Sequence, residues 1–374
     1  MTESNCIAPY FVYGKDGWLL PDFRGRSGEM WAEQPQFNAV GRLYFMRYRR
    51  VGQTVLSEYT GSRIASVGQT YADIALNYAA DCGSYTYSLR HVEFPQTDEN
   101  RTCYTVDIHF NREITFRDFR KDFDLFSFDG RTVTFDKMGY LNADNEPVTQ
   151  AVQKGTHFYA LGNDAPYYDF FSVSRDKYGE LDSYFGSSFG LVVRESTITQ
   201  DGRETVIPLC LRTQSKTDYT AGSLTLDVNR VTFRPGDRIT LQLVLLPWGT
   251  GKEETDDNVR AVREDSALNP VQITVQTGTV IADDFLPRVR CENNAAEFTL
   301  RGGRNNIAVR VDGFTDFHIP ALQRKTGDGW EPVTLASDNG YDGYAVHYNA
   351  DGTYGFSFVY TAQDPQTPVT FRLG

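Results

Sequence analysis

Two of the chain's five histidines, His91 and His109, fall in a stretch that also holds Tyr85, Tyr87, Glu93 and Arg101. An imidazole and a carboxylate within reach of one substrate can exchange protons with it as acid and base. A guanidinium forks to hydroxyls and carboxylates, and tyrosine rings stack on apolar faces. If 85–94 is a strand, Tyr85, Tyr87, Leu89, His91 and Glu93 share one face, because side chains alternate along a strand. The next strand, 101–110, offers Asp107 and His109 on its polar face. Between them runs the polar loop Phe94-Pro-Gln-Thr-Asp98-Glu-Asn-Arg101. The expectation is one concave sheet surface, with His91, Glu93, Arg101 and His109 as candidate catalytic residues and Tyr85 and Tyr87 as ligand-stacking rings. The competing reading is that these residues only cover the solvent side of a sandwich.

A second cluster is Leu161-Gly-Asn-Asp164-Ala-Pro166-Tyr-Tyr168-Asp-Phe-Phe171. Gly and Pro mark a loop, and loops at a sandwich edge often carry ligands. Asp164, Tyr167 and Tyr168 are the candidate binding residues here; a core plug with the tyrosines at its rim is the alternative. Trp31, with Trp18 and Phe23-Arg-Gly-Arg26, is expected to line the same surface. His157, His318 and His347 stand alone in the sequence and read as structural.

Other chemistries fail on spacing. Trp248-Gly-Thr-Gly-Lys252 lacks the first glycine of a phosphate loop and continues with Glu253, not Ser or Thr. Neither H-E-x-x-H nor G-x-S-x-G occurs. Asn142-Ala-Asp144-Asn-Glu146 lacks the central Gly and distal Glu of an EF-hand and reads as a solvated turn, with a single calcium held by an irregular loop as the alternative. The five cysteines are scattered, without C-x-x-C pairs, which argues against a zinc site or a disulfide framework. A single Cys82–Cys103 bridge across neighbouring strands stays open; buried free thiols are favoured. No metal and no cofactor is expected.

The elements that must position these groups follow a period of two. Leu224, Leu226 and Val228 alternate with polar residues; Arg234-Pro-Gly-Asp237 has turn chemistry; Ile239, Leu241, Leu243 and Leu245 alternate onward. That pattern predicts a β-hairpin. The stretch 71–79 fits both periods and is read as a strand. Residues 256–268 are charged and read as a connector, and Asn269-Pro270 is a boundary signal. The expected fold is all-β: a large antiparallel, supersandwich-like β-sandwich over 1–269, followed by a smaller immunoglobulin-like sandwich over 270–374.

Composition narrows the function classes. The chain has 374 residues and a net charge of −12, with 25 Phe, 22 Tyr and 4 Trp. It is too aromatic for a disordered acidic tail. It has no basic stripe for a phosphate backbone and no apolar run long enough to span a membrane. No signal peptide is visible, which fits a cytoplasmic protein or a secreted one with its signal removed. The aromatic-rich, acidic texture, ending in a sandwich of about 100 residues, is similar to β-sandwich parts of bacterial carbohydrate-active proteins. That resemblance implies a glycan or polysaccharide partner. Three functions stay open: a glycan-binding or accessory module, a glycoside hydrolase or polysaccharide lyase using the His/Glu/Arg cluster, and a structural or assembly subunit that oligomerises.

Overall fold

The computed structural model describes residues 7–13, 19–25, 42–50, 53–55, 57–67, 70–93, 102–130, 135, 137–171, 186–216, 220–250, 271–282, 285–303, 305–317, 320–334, 343–362, 364 and 366–374. These residues are nearly all strand. In chain order the first strands are β1 (Ile7–Tyr13), β2 (Leu19–Gly25), β3 (Arg42–Arg50), β4 (Gln53–Val55), β5 (Ser57–Val67), β6 (Ala72–Ala80), β7 (Tyr85–Glu93), β8 (Thr102–Phe110), β9 (Ile114–Phe116) and β10 (Phe123–Gly130). Then come β11 (Lys137–Leu141), β12 (Pro147–Ala151), β13 (Gly155–Ala160), β14 (Tyr167–Phe171), β15 (Gly186–Gln200), β16 (Arg203–Val206), β17 (Leu209–Ser215), β18 (Thr220–Leu226), β19 (Val231–Phe233) and β20 (Arg238–Thr250). One helical turn, α1 (Phe119–Asp122), precedes β10. The remaining strands are β21 (Gln272–Thr277), β22 (Thr279–Ala282), β23 (Arg288–Arg290), β24 (Ala296–Arg301), β25 (Asn305–Phe314), β26 (Leu322–Thr326), β27 (Gly329–Pro332), β28 (Tyr344–Tyr348), β29 (Tyr354–Ala362) and β30 (Val369–Leu373).

The chain divides into two compact units. The first comprises Met1–Arg63, Ala75–Arg90 and Glu99–Ser266; the second comprises Ile64–Ile74, His91–Asp98 and Ala267–Gly374. The division expected at 269/270 assigned 64–74 and 91–98 to the first domain, whereas the contacts group them with the second.

A six-stranded sheet runs β13-β17-β18-β10-β3-β4, and a ten-stranded sheet runs β12-β11-β14-β15-β20-β8-β7-β6-β5 with β16 paired to β15. Alternation makes the core. Ile239, Leu241 and Leu243 on β20 sit opposite Ile108, Val106 and Tyr104 on β8. All six are buried and pack with Leu209, Leu211, Leu224, Leu226 and Phe126 of the six-stranded sheet. A phenylalanine cluster fills one end: Phe110 stacks on Phe233 at 4.0 Å, and Phe116 meets Phe119 and Phe123 edge-on. Beneath α1, buried Arg212 pairs with Asp124. It also donates to the carbonyls of Arg120 and Lys121 and to Ser223. A buried ion pair needs such added partners to offset its desolvation.

The hairpin expected at 224–245 does not form. β18 pairs with β17 and β10, while β20 pairs with β15 and β8 in the other sheet. The turn itself is present: Asp237 N–H donates to Arg234 O, Arg234 N–H donates to Asp237 Oδ2, and Gly236 has φ +94°. It bends the chain between two sheets after β19, which pairs with β9. The stretch 71–79 lies on strand β6 and its flank, as read. Residues 256–268 lie outside the described residues.

The second unit contains two five-stranded sheets, β21-β24-β30-β26-β27 and β22-β23-β25-β29-β28. Phe298, Leu300, Phe371 and Leu373 of one sheet share a core with Val309, Val311, Phe356 and Phe358 of the other. Its pairings are antiparallel except β23 with β25. Tight turns join β26 to β27 and β28 to β29, at Gly327 (φ +57°) and Gly352 (φ +82°).

Phe123→Ala removes a ring that touches Tyr85, Phe116 and Phe119. The expected loss is about 3–5 kcal/mol, read as a lower urea midpoint with an unchanged slope.

Candidate functional site

The described residues among those singled out from sequence do not assemble as one open surface. Tyr85, Tyr87 and Leu89 do share a face of β7, but it is the core face, and all three are buried. Tyr87 stacks on Tyr78 at 4.8 Å, and Tyr85 meets Phe123 edge-on. Rings this large on a strand next to β8 turn toward the apolar side, where their burial is worth most. His91 follows the same parity and is buried, while His109 is exposed on the polar face of β8. The two imidazoles therefore share no open surface. Beside His109, Asp107 Oδ1 accepts from Arg238 Nε and Nη2 and from Thr240 Oγ1. Burial, then the Glu204 and Asp107 carboxylates, push the nearby Glu195 carboxyl up. The side chains of Glu93, Arg101 and Trp31 lie outside the described residues.

The loop platform is also corrected. β14 begins at Tyr167, so both tyrosines belong to a ladder between β11 and β15. Tyr167 and Tyr168 are buried, and burial pushes the Tyr168 hydroxyl well up. Only Asp164 is exposed, in a turn where Asn145 Oδ1 accepts the N–H of Asn163 and Asp164. Gly162 is favoured there, because a Cβ would stand 2.8 Å from the backbone carbonyl oxygen of Asn142. The Asn142–Glu146 stretch is a turn in which Asn142 Oδ1 accepts the N–H of Asp144 and Glu146. No group of three His, Cys, Asp or Glu suited to a metal exists among the described residues. Cys82, Cys103, Cys210 and Cys291 are free thiols, so the Cys82–Cys103 bridge is not made. Burial pushes the Cys210 thiol up to about 12.

The most exposed rings among the described residues lie instead in the second unit. Phe317 is 70% exposed and Tyr348 73% exposed. The half-buried ring of Tyr354 lies 5.4 Å from each of them, edge-on to Phe317 and tilted against Tyr348. Three rings thus form one shelf. Tyr348 and Tyr354 face each other across the β28–β29 pair, and Tyr354 packs on the core beneath. Phe317 follows a bend where Asn294 Oδ1 accepts both the N–H and the hydroxyl of Thr315. At the shelf's end, Arg290 Nη1 lies 3.7 Å from Asp351 Oδ2. Thr353 donates its hydroxyl and its N–H to Asp351 Oδ1, which holds that carboxyl below its ordinary range.

A buried polar network lies behind the shelf hairpin. Arg310 donates through Nε to Asp312 Oδ1, through Nη1 to the Tyr71 hydroxyl and through Nη2 to Asn349 Oδ1. Asn349 Nδ2 donates to Asp312 Oδ1 and Thr353 Oγ1. Arg288 Nη2 reaches Asp312 Oδ2 at 2.8 Å. Burial alone would raise the Asp312 carboxyl; Arg310 and Arg288 hold it below the usual range. His347 Nε2 lies 2.7 Å from Ser357 Oγ, which lies 2.9 Å from Thr70 Oγ1. Sequence reasoning missed both the shelf and the network. The available signal was Tyr348 and Tyr354 bracketing Asn-Ala-Asp-Gly-Thr, which sets two rings opposite each other once the turn is placed.

No family model matches the sequence, and no curated protein matches it either. Among solved structures the chain is similar to a GH36 α-galactosidase AgaA variant from Geobacillus stearothermophilus in complex with 1-deoxygalactonojirimycin, at 9% identity, TM-score 0.42, over 67% of this chain and 41% of that one. It is also similar to the α-galactosidase from Lactobacillus brevis, at 9% identity, TM-score 0.38, over 59% and 31%. A third is a TPR-domain containing protein from Parabacteroides distasonis, at 9% identity, TM-score 0.32, over 55% and 37%. The chain thus spans well under half the length of each of these proteins.

The network sets a pH dependence. Burial, then the Arg310 and Arg288 guanidiniums, pull the His347 imidazole from 6.5 down to about 4, against the opposing pull of Asp312. Between those values the unfolded chain binds the proton and the folded one does not. Stability from this site is therefore complete above about pH 6.5 and is lost as pH falls toward 4. After allowance for partial solvent screening, the loss is ~1–2 kcal/mol. Calorimetry from pH 7 to 4 should show the fall in Tm, and His347→Gln should flatten it.

Proposed function

We propose that this chain is a carbohydrate-interacting β-sandwich protein that holds a glycan on the aromatic shelf of its second unit. The observation that carries this reading is the shelf itself. Leaving large rings in water forgoes burial that would stabilise the fold, and contiguous exposed apolar groups on a folded unit mark binding surfaces. Pyranose rings present flat C–H faces that stack on aromatic side chains, with hydroxyls at their edges. The shelf offers rings for those faces and the Arg290–Asp351 pair for the hydroxyls. Backbone and core hold Tyr354 in place, so little side-chain entropy is lost on binding.

The same rings would also suit a protein partner, and the experiment separates the two. Immobilised polysaccharides are screened for retention of the protein and, in the same incubation, for released sugars. Retention without release is the expected outcome. Tyr348→Ala and Phe317→Ala should each weaken it about tenfold, roughly 1.4 kcal/mol. Tm should hardly change, because both side chains are exposed. Val280→Ser, on another exposed apolar residue of the second unit, should leave retention unchanged. Wild-type retention in both ring variants would reject the shelf as the site.

A further inference from the structure

We propose that the shelf selects uncharged glycan chains over anionic ones, and that Arg310 is the positioning residue that fixes its ring geometry through Asn349. This deepens the reading of the shelf as a glycan site and rests on it. Selection follows from the state of the cations. An anionic polysaccharide needs guanidinium or ammonium groups with positive charge to spare. Among the described residues, the three arginines around the shelf are already engaged: Arg290 with Asp351, Arg288 with Asp312, and Arg310 with Asp312. Arg310 is also nearly fully buried and directs its remaining bonds to Tyr71 and Asn349, inside the fold. Residues 267–374 carry eight Lys and Arg against twelve Asp and Glu, a net of −4. A uronate or sulfate brought to this surface meets repulsion, whereas an uncharged sugar face meets three rings.

Positioning follows from the hydrogen bonds of Asn349. Its backbone N–H donates to Thr353 O, and its backbone carbonyl accepts the Gly352 N–H. Its side chain accepts from Arg310 Nη2 and donates to Asp312 and Thr353. Asn349 therefore ties the turn closed and fastens it to β25. That turn carries Tyr348 at one end and Tyr354 at the other. The guanidinium acts as a fork whose prongs reach β25, the shelf turn and the Ile64–Ile74 segment at once. The 5.4 Å separation of the two tyrosine rings is thus set from beneath, by a residue that touches neither ring face presented to a ligand.

The test uses the full chain and affinity electrophoresis through gels holding either uncharged polymers (xyloglucan, galactomannan, β-glucan) or anionic ones (polygalacturonate, alginate). The expected result is retardation by at least one uncharged polymer, unaltered by 0.5 M salt (~4 Å screening length), and none by the anionic gels. Retardation by anionic gels alone, abolished by salt, overturns the selectivity while leaving a glycan site standing. Retardation by neither class overturns the glycan reading and this inference with it. For positioning, Asn349→Ala and Arg310→Lys should weaken retention by the uncharged polymer at least fivefold. Tyr71→Phe, which removes the prong facing away from the shelf turn, should lower Tm with retention kept within twofold. The Tyr348–Tyr354 ring cross-peaks in a proton NMR spectrum should weaken in Asn349→Ala and persist in Tyr71→Phe. That readout needs no ligand and would not move if Asn349 served stability alone. Unchanged cross-peaks and retention in Asn349→Ala would overturn the positioning role.

Discussion

The pleat is the constraint on which the rest depends. Successive side chains on a strand point to opposite faces, so each aromatic residue's role is decided by parity before chemistry enters. In β7 that parity sends Tyr85, Tyr87 and Leu89 inward together. In β8 it sends Tyr104, Val106, Ile108 and Phe110 inward and leaves Asp107 and His109 outward. Most of the described tyrosines and phenylalanines of the first unit therefore do structural work. Their hydroxyls are taken into the interior as the cost of using rings to fill a wide gap between two sheets.

The second unit solves a different problem. A guanidinium and a carboxylate inside a β-sandwich lose several kcal/mol of hydration each, of order 5, unless hydrogen bonds replace water. Arg310 and Asp312 obtain those bonds from Tyr71, Asn349 and Arg288. Removing any one partner leaves a buried charge short of a bond, which costs more than the bond was worth. The network accordingly ties the exposed hairpin to the buried strands through several bonds at once.

Strand positions were legible in the sequence because alternation is a local signal. The segments read at 85–94 and 101–110 correspond to β7 and β8. Sheet membership was not legible. Leu224–Leu226 and Ile239–Leu245 flank a genuine turn, yet they belong to different sheets, because three residues of β19 intervene and pair elsewhere. Which face of a strand is wet was not legible either: Tyr85 and Tyr87 carry the same alternation whether they face sugar or core. The shelf was hidden for a related reason. Phe317 reaches Tyr354 only through the fold of the chain around Asn294 and Thr315, and no spacing in the sequence announces that approach.

Arg310 and Tyr71 are 239 positions apart, and Thr70 meets Ser357 across 287. The smaller sandwich is thus not a bead that a single cut could release. The ribosome emits its Ile64–Ile74 segment and must then produce some two hundred further residues before the strands that receive it exist. Until β25 and β29 arrive, that segment has no native berth within its own unit. Closure over such distances is slow, because the chain entropy is lost before the contact repays it. The order of synthesis and the order of assembly run in opposite senses here, so strands made later complete the seat of residues made well before them.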